Sequence, residues 1–350
     1  MYDIAIIGLG PAGSTLARFL DSSLKVVAFD RKRLDGSPGG FQKTCGGLLS
    51  PSAQKALART GLNLPSSILA DPQIFAVKTM DIASGLTRHY QRCYLNIDRH
   101  KFDLWLASLV SPSVNVIDRA DCRRIINRGA HYEIIFSEGG KQQTLTARRV
   151  VGADGSGSLA RRTFIPTPIR RYICIQEHYA GQPREPYGCF FDERLTDCYG
   201  WINNKNGRHV LGAALPFKNP RARFETIKER LTPFGYRFYD APSLVEAALV
   251  SRPSSLSQIV AGRQGLFLIG EAAGFVSPSS LEGISYALNT ARLLSGILNR
   301  DAADPLKKYS CALWPQRLKV LGRMAKNPFM YQPQLRRVVM ASGLRSLKMG

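Results

Sequence analysis

Acidic residues are scarce in this 350-residue chain: 26 Asp and Glu stand against 48 Lys and Arg, a formal charge of +22. Long apolar runs are missing too, since none approaches the roughly 18 residues that a membrane-spanning helix needs. The seven cysteines are scattered, odd in number and without a C-x-x-C pair. That excludes a patterned zinc site and a secreted disulfide framework, so no metal is expected and a reducing compartment is. Met1, Tyr2 and Asp3 lead straight into the apolar run Ile4 to Ile7, with no charged leader ahead of it. The expected location is cytoplasmic, with peripheral contact on the inner face of the membrane as an extension of that reading. At 44% hydrophobic and 21% charged, the composition is that of a globular protein, not a disordered or fibrous one.

The cationic excess is spread along the chain, as in Arg161-Arg162, Arg170-Arg171 and Arg336-Arg337, without the long basic arm of a nucleic-acid binder. A solvated basic surface and attraction to an anionic lipid or cofactor both fit it. No nucleic acid partner is expected.

What is present begins at Asp3-Ile-Ala-Ile-Ile-Gly8, four consecutive apolar residues ending at a glycine, which reads as a buried parallel strand. Gly8-Leu-Gly10-Pro11-Ala12-Gly13 follows and opens a helix, and Leu24 to Phe29 forms a second strand ending at Asp30. This βαβ unit has its glycines in the first turn and an acid at the end of the second strand, the pattern of dinucleotide binding. Gly8 permits the tight turn, Gly10 lets the backbone approach a pyrophosphate, and Gly13 lets the helix pack on the strand. A pyrophosphate would meet the free N–H groups at the helix start, and Asp30 would accept hydrogen bonds from ribose hydroxyls.

Downstream, the segments Tyr132 to Ser137 and Thr144 to Arg148 flank Glu138-Gly-Gly-Lys141 as a hairpin. Short β-like segments recur at 172–179, 187–191, 198–202 and 209–214, with Asn203 to Gly207 as a turn, and imply an antiparallel sheet inserted into the first domain. Another buried strand is expected at Gly265 to Gly270. The expected fold class is therefore α/β: a Rossmann-like domain made of residues 1–70, 92–165 and 255–300, a substrate domain of 71–91 and 166–254, and a helical segment at 301–350. That last segment carries ten Lys and Arg and two Asp.

Three further motifs carry a resemblance. Val150-Val-Gly-Ala-Asp154-Gly155 looks like the Asp-Gly motif of p-hydroxybenzoate-hydroxylase-type FAD enzymes. Gly270-Glu271-Ala-Ala-Gly274 resembles that family's Gly-Asp motif, with Glu271 in place of the Asp that reaches the ribityl chain. Lys43-Thr-Cys45-Gly46-Gly47 matches the Cys-Gly-Gly signature of the geranylgeranyl-reductase branch, and the chain resembles in particular the CbrA-type flavoproteins. The resemblance spans residues 1 to about 295 and implies tight, non-covalent FAD. By it, the cofactor is held by the glycine turn with Pro11 and Ala12, by Asp30 and Arg31, by Cys45, Gly46 and Gly47, and by Arg99 in the segment Asp98 to Leu106. It also implies contacts from Asp154, Gly155, Gly270 and Glu271, and from Gly283 and Ile284 at the start of an apolar helix facing the flavin.

Cys45 and Trp201 are the candidate catalytic residues. The thiol would shape the pocket or handle a proton, with simple packing as the alternative; Trp201 would line an apolar substrate pocket or pack in the sheet core. Gln176, Glu177 and His178 lie on a neighbouring strand and receive no catalytic role. No second G-x-G-x-x-G occurs, so electrons are expected from transiently docked NAD(P)H or from another redox protein. The resemblance implies reduction of carbon–carbon double bonds in an apolar, prenyl-lipid-like substrate. The alternatives are a flavin monooxygenase acting on an aromatic or other small substrate, and a non-catalytic, membrane-associated flavin-binding factor.

Overall fold

The computed structural model describes residues 1–37, 41–181, 187–300 and 303–348. The strand Tyr2–Ile7 lies at the centre of the first sheet, paired in parallel with Val26–Phe29 on one side and with Lys141–Gly152 on the other. Ile4, Ala5 and Ile6 are completely buried, as expected for a strand covered on both faces. The helix Pro11–Phe19 packs on one face together with Ile284–Leu298. The sheet extends through Asn115–Ile117 beyond the second strand and through Leu266–Leu268 beyond the long one.

The hairpin arm and the strand into Asp154 are one element. Lys141–Gly152 pairs antiparallel with Tyr132–Glu138 at its start and parallel with Tyr2–Ile7 along its second half. Gly139 and Gly140, both at positive φ, make the two-residue turn.

The second sheet has the order 244–252, 170–180, 208–215, 200–205, 187–191, 74–81, 87–96, 48–49. Its pairings are antiparallel except that Tyr187–Phe191 runs parallel to Ile74–Asp81. Two expectations are corrected here. The domain boundary at 91/92 falls inside Thr87–Asn96, which stays in the second sheet because it continues to pair with Ile74–Asp81 and then, through Leu95 and Asn96, with Leu48–Leu49. The turn at 203–207 shrinks to Asn206-Gly207, both at positive φ, so Asn203 and Asn204 are buried strand residues.

Beyond residue 304 the helices Pro305–Ala312, Trp314–Met324, Asn327–Tyr331 and Pro333–Ala341 wrap back over both sheets. No helix among the described residues is long and apolar enough to cross a membrane. Arg336 clamps the last of these helices to the second sheet: its Nε donates to Asp81 at 2.8 Å and its Nη2 to Glu193 at 2.9 Å. Burial alone would raise the Asp81 carboxyl, but the Arg336 hydrogen bond and charge hold it below the usual range. Asp81 is fully buried, so cutting the pair strands a charge. Arg336→Ala is expected to destabilise the fold by on the order of 3 kcal/mol. Replacing Arg337, more exposed and 3.7 Å from the same carboxylate, should cost less. Urea unfolding of both variants checks the order.

Candidate active site

The two sheets and the C-terminal helices enclose one cavity of about 1140 Å3. It begins at the first βαβ turn. Gly8 sits at φ +99°, and a side chain there would press on the Ala153 carbonyl at 2.8 Å. Gly13 is tighter still, since a Cβ would stand 1.8 Å from the Gly8 carbonyl oxygen. Gly13 therefore packs helix on strand, away from the lining, whereas Gly10, Pro11 and Ala12 face the cavity. Gly10 has no protein atom within 4 Å of where its Cβ would be. The helix start has no side-chain cap, leaving its first N–H groups for an anion.

Asp30 fastens this turn. One carboxylate oxygen accepts from the Leu9 N–H at 2.6 Å and the other from the Lys32 N–H at 2.8 Å. Behind it runs a chain of buried charge: Lys32 Nζ donates to Asp103 at 3.0 Å, and Arg99 Nε donates to the other oxygen of Asp103 at 2.7 Å. Burial pushes the Asp103 carboxyl up, but Arg99 and Lys32 outweigh it and hold it at about 2. Burial likewise opposes charge on Lys32, and Asp103 and Asp30 reverse that, raising its pKa. Arg31 turns outward and stacks over the Phe41 ring, 3.4 Å from its centroid.

The Asp-Gly motif meets the turn from the side. Asp154 Oδ2 accepts from the Leu159 N–H at 2.6 Å, and its Oδ1, though buried at the lining, has no partner. Burial raises its pKa. Gly155 lies beside it at φ +72°. Buried Arg161 donates to the carbonyls of Ala272, Thr167 and Gln258, tying the helix Leu159–Phe164 to the loop after Gly270. Gly270 itself lies outside the lining, at φ +56° against Ala12 and Ala287, and its N–H donates to Thr290. Glu271 does line the cavity, but its carboxylate is already held: one oxygen accepts from the Ser251 N–H at 2.7 Å, the other pairs with Lys43 at 3.2 Å. The longer side chain thus reaches the second sheet as well as the cavity.

At the far end Gly283 caps the helix Ile284–Leu298. The Glu282 carboxylate accepts from the Ser285 N–H and hydroxyl, so an acid already occupies part of this helix start. Burial raises the Glu282 pKa. Facing it, Gly47 N–H donates to Cys45 Sγ at 3.4 Å, and Gly46 lies against the Trp201 indole, where a Cβ would be 3.5 Å from Nε1. Gly47 takes φ +63°, with the Ile97 carbonyl and the Lys205 ammonium crowding the place of a side chain. Lys205 holds this loop from beneath by donating to Gly47 O, Asn96 Oδ1 and Ile97 O, and burial pushes its pKa down to about 8.

Trp201 lines the cavity and is wedged over Gly212, with its Nε1 donating to Gln176 Oε1 at 3.3 Å. Gln176 and His178 converge on Glu246, while Glu177 points to the other face and pairs with Arg221 and Lys228. The cavity therefore brings together the glycine turn, Asp30, Arg31, the Cys-Gly-Gly loop, Arg99, Asp154, Gly155, Glu271, Gly283, Ile284 and Trp201, leaving out Gly13 and Gly270. Sequence reasoning missed Lys32 and Asp103, the Glu282 cap, the phenols Tyr90, Tyr94 and Tyr187, and the wall formed by Phe329, Met330, Val339 and Met340. The i, i+4 spacing of Arg99 and Asp103 was the available signal for the charge chain.

A chain from Escherichia coli O157:H7, Protein CbrA, is 46% identical over 345 residues, covering 98% of this chain and 97% of that one. This chain belongs to the CbrA family. No protein-family model matches it. The CbrA-family chain is similar in fold to a geranylgeranyl bacteriochlorophyll reductase-like protein from Thermoplasma acidophilum, with TM-score 0.79 and 18% identity over 97% of this chain and 90% of that one. It is also similar to PqsL, a probable FAD-dependent monooxygenase from Pseudomonas aeruginosa, with TM-score 0.69 and 15% identity over 97% and 99% of the two chains. Its fold is that of FAD-dependent oxidoreductases.

The residues fit FAD: an unpartnered buried Asp154 oxygen, an uncapped helix start and open room at Gly10 are the features an extended dinucleotide needs. Gly10→Val should cost the apo fold no more than about 1 kcal/mol, since the place of its Cβ is open and the loss is that of a poorer N-cap residue, yet weaken FAD at least tenfold by filling the pyrophosphate room. Fluorescence titration beside apo melting curves checks both halves. For Asp103, a folded pKa of about 2 lies below the ordinary 3.8. Its pairing thus stabilises the fold fully above pH 3.8 and is lost as pH falls towards 2. Asp103→Asn should be less stable at neutral pH and lose less stability than the parent between those limits, as measured by urea midpoints across pH.

Proposed function

We propose that the protein is an FAD-dependent reductase of carbon–carbon double bonds in an apolar, prenyl-lipid-like substrate, with electrons supplied by NAD(P)H or another redox protein. The observation that carries this reading is the wall of the cavity. Among the described residues, the lining contributed by the second sheet and the C-terminal helices contains no carboxylate, and Val77, Tyr187, Phe191, Tyr199, Phe329 and Met340 are among its members. Such a chamber suits a flexible hydrocarbon, with the phenols and Arg92 among its polar groups.

Reduced FAD, when bound, supplies a hydride. In this reading the alkene takes that hydride on one carbon and a proton on the other. Cys45 carries a proton at the junction of cofactor groove and chamber, while Trp201, fixed by Gln176 and Gly212, sets the wall against which a chain lies. The aromatic wall keeps water from the reacting carbons.

A second reading, hydroxylation of an aromatic ring, is favoured by the phenols of Tyr90, Tyr94 and Tyr187 on the lining, which suit a ring hydroxyl. Reduced protein mixed without oxygen with geranylgeraniol separates the two. Flavin reoxidation with a product carrying two added hydrogens supports the reductase; no reoxidation there, together with oxygen-dependent ring hydroxylation when an added phenol and air replace the alkene, overturns it. Cys45→Ala should retain FAD and slow that reoxidation at least tenfold, and an unchanged rate would reduce Cys45 to packing.

A further inference from the structure

From Pro305 to the C-terminus the chain has ten Lys and Arg and neither Asp nor Glu. The helices there leave apolar surface uncovered. On Trp314–Met324, Gln316 and Val320 turn to the core, whereas Trp314, Leu318 and Leu321 are 53%, 59% and 46% exposed. Their i, i+4, i+7 spacing makes one stripe along the helix. Lys319, Arg323 and Lys326 are exposed on the same segment. Two residues that the cationic, apolar composition of this segment would also offer to a surface are withdrawn: Leu313 is fully buried and Arg336 is ion-paired inside.

The helix that carries the stripe leads to the cavity. Trp314–Met324 runs directly into Asn327–Tyr331, whose Phe329 is 54% exposed and also lines the cavity. That short helix is fastened to the rim: the Tyr331 hydroxyl donates to Ser279 O at 2.7 Å, and the Arg252 guanidinium stacks on its ring. A second copy of the chain would set like charges against each other on this face. A nucleic acid would satisfy the cations and leave the Trp and Leu stripe in water. An anionic bilayer covers both, the cations at its headgroups and the stripe at the acyl boundary.

We propose that the helix Trp314–Met324 docks on an anionic membrane surface through Trp314, Leu318 and Leu321, and that a bilayer lipid enters the cavity past Phe329. The docking stands on the surface itself; the lipid's entry rests on the reductase reading.

FAD-loaded full-length protein is sedimented with phosphatidylglycerol-containing and with pure phosphatidylcholine vesicles, at low and high salt. The expected result is binding to the anionic vesicles, weakened at least tenfold by high salt and by the double substitution Leu318→Glu with Leu321→Glu. Phe217→Glu, at a comparably exposed apolar site on the substrate domain, should change nothing. Lipids brominated in the acyl chain should quench a fluorescence component that Trp314→Phe removes, since Trp201 is buried and Trp105 half-buried away from this helix. No vesicle binding, equal binding by the double variant, equal loss in Phe217→Glu, or binding of nucleic acid alone overturns the docking. Reduction of a short, water-soluble alkene is followed in the same samples. Vesicle failure with alkene reduction intact removes the docking only; vesicle binding without any alkene reduced removes the reductase reading only.

Discussion

The buried run of alternating charge from Asp30 through Lys32 and Asp103 to Arg99 is the constraint on which the site depends. Each ion is costly to bury and is tolerated because a counter-ion stands near it, hydrogen-bonded from Lys32 through Asp103 to Arg99 and at 3.9 Å between Lys32 and Asp30. Asp30 spends its carboxylate on the Leu9 N–H, so the glycine turn takes its shape from the same chain that anchors the helix Arg99–Ser108. Disturbing one end would be felt at the other, because Lys32 and Asp103 between them are buried away from water.

Around that chain, glycines set how close the walls come. Gly13 brings the first helix onto its strand, and Gly212 with Gly46 leaves room for the Trp201 indole between sheet and loop. The groove at the glycine turn and the apolar chamber are one continuous space, with Cys45 and Trp201 both on its lining. Lys205 beneath the Cys-Gly-Gly loop and Lys43 on Glu271 bind the second sheet to the first domain.

Local pattern made the dinucleotide half legible. The apolar strand, the glycine spacing and the acid at residue 30 all act within one βαβ unit, and the Asp154 and Glu271 motifs sit at strand ends where side chains reach the groove. What escaped notice was set by distant pairing. Nothing near residue 91 shows that Thr87–Asn96 continues as far as Tyr94 beside Ile74–Asp81, nor that Leu48–Leu49 will join its end. The wall made by Phe329 and Met340 depends on the Arg336 clamp to Asp81, a contact between residues 255 positions apart. The role of Glu282 comes from the helix after it, whose Ser285 brings an N–H and a hydroxyl to the carboxylate.

The most direct measurement is a crystal structure of the FAD-loaded protein with a bound prenyl alcohol. The expected arrangement has the adenosine end near Asp30, the flavin ring between the Cys45 loop and Gly283, and the prenyl chain running past Trp201 among Tyr187, Phe191 and Phe329. A flavin outside this groove, or a chamber that excludes the chain and leaves it on the surface, would contradict the union of cofactor groove and apolar chamber in a single site.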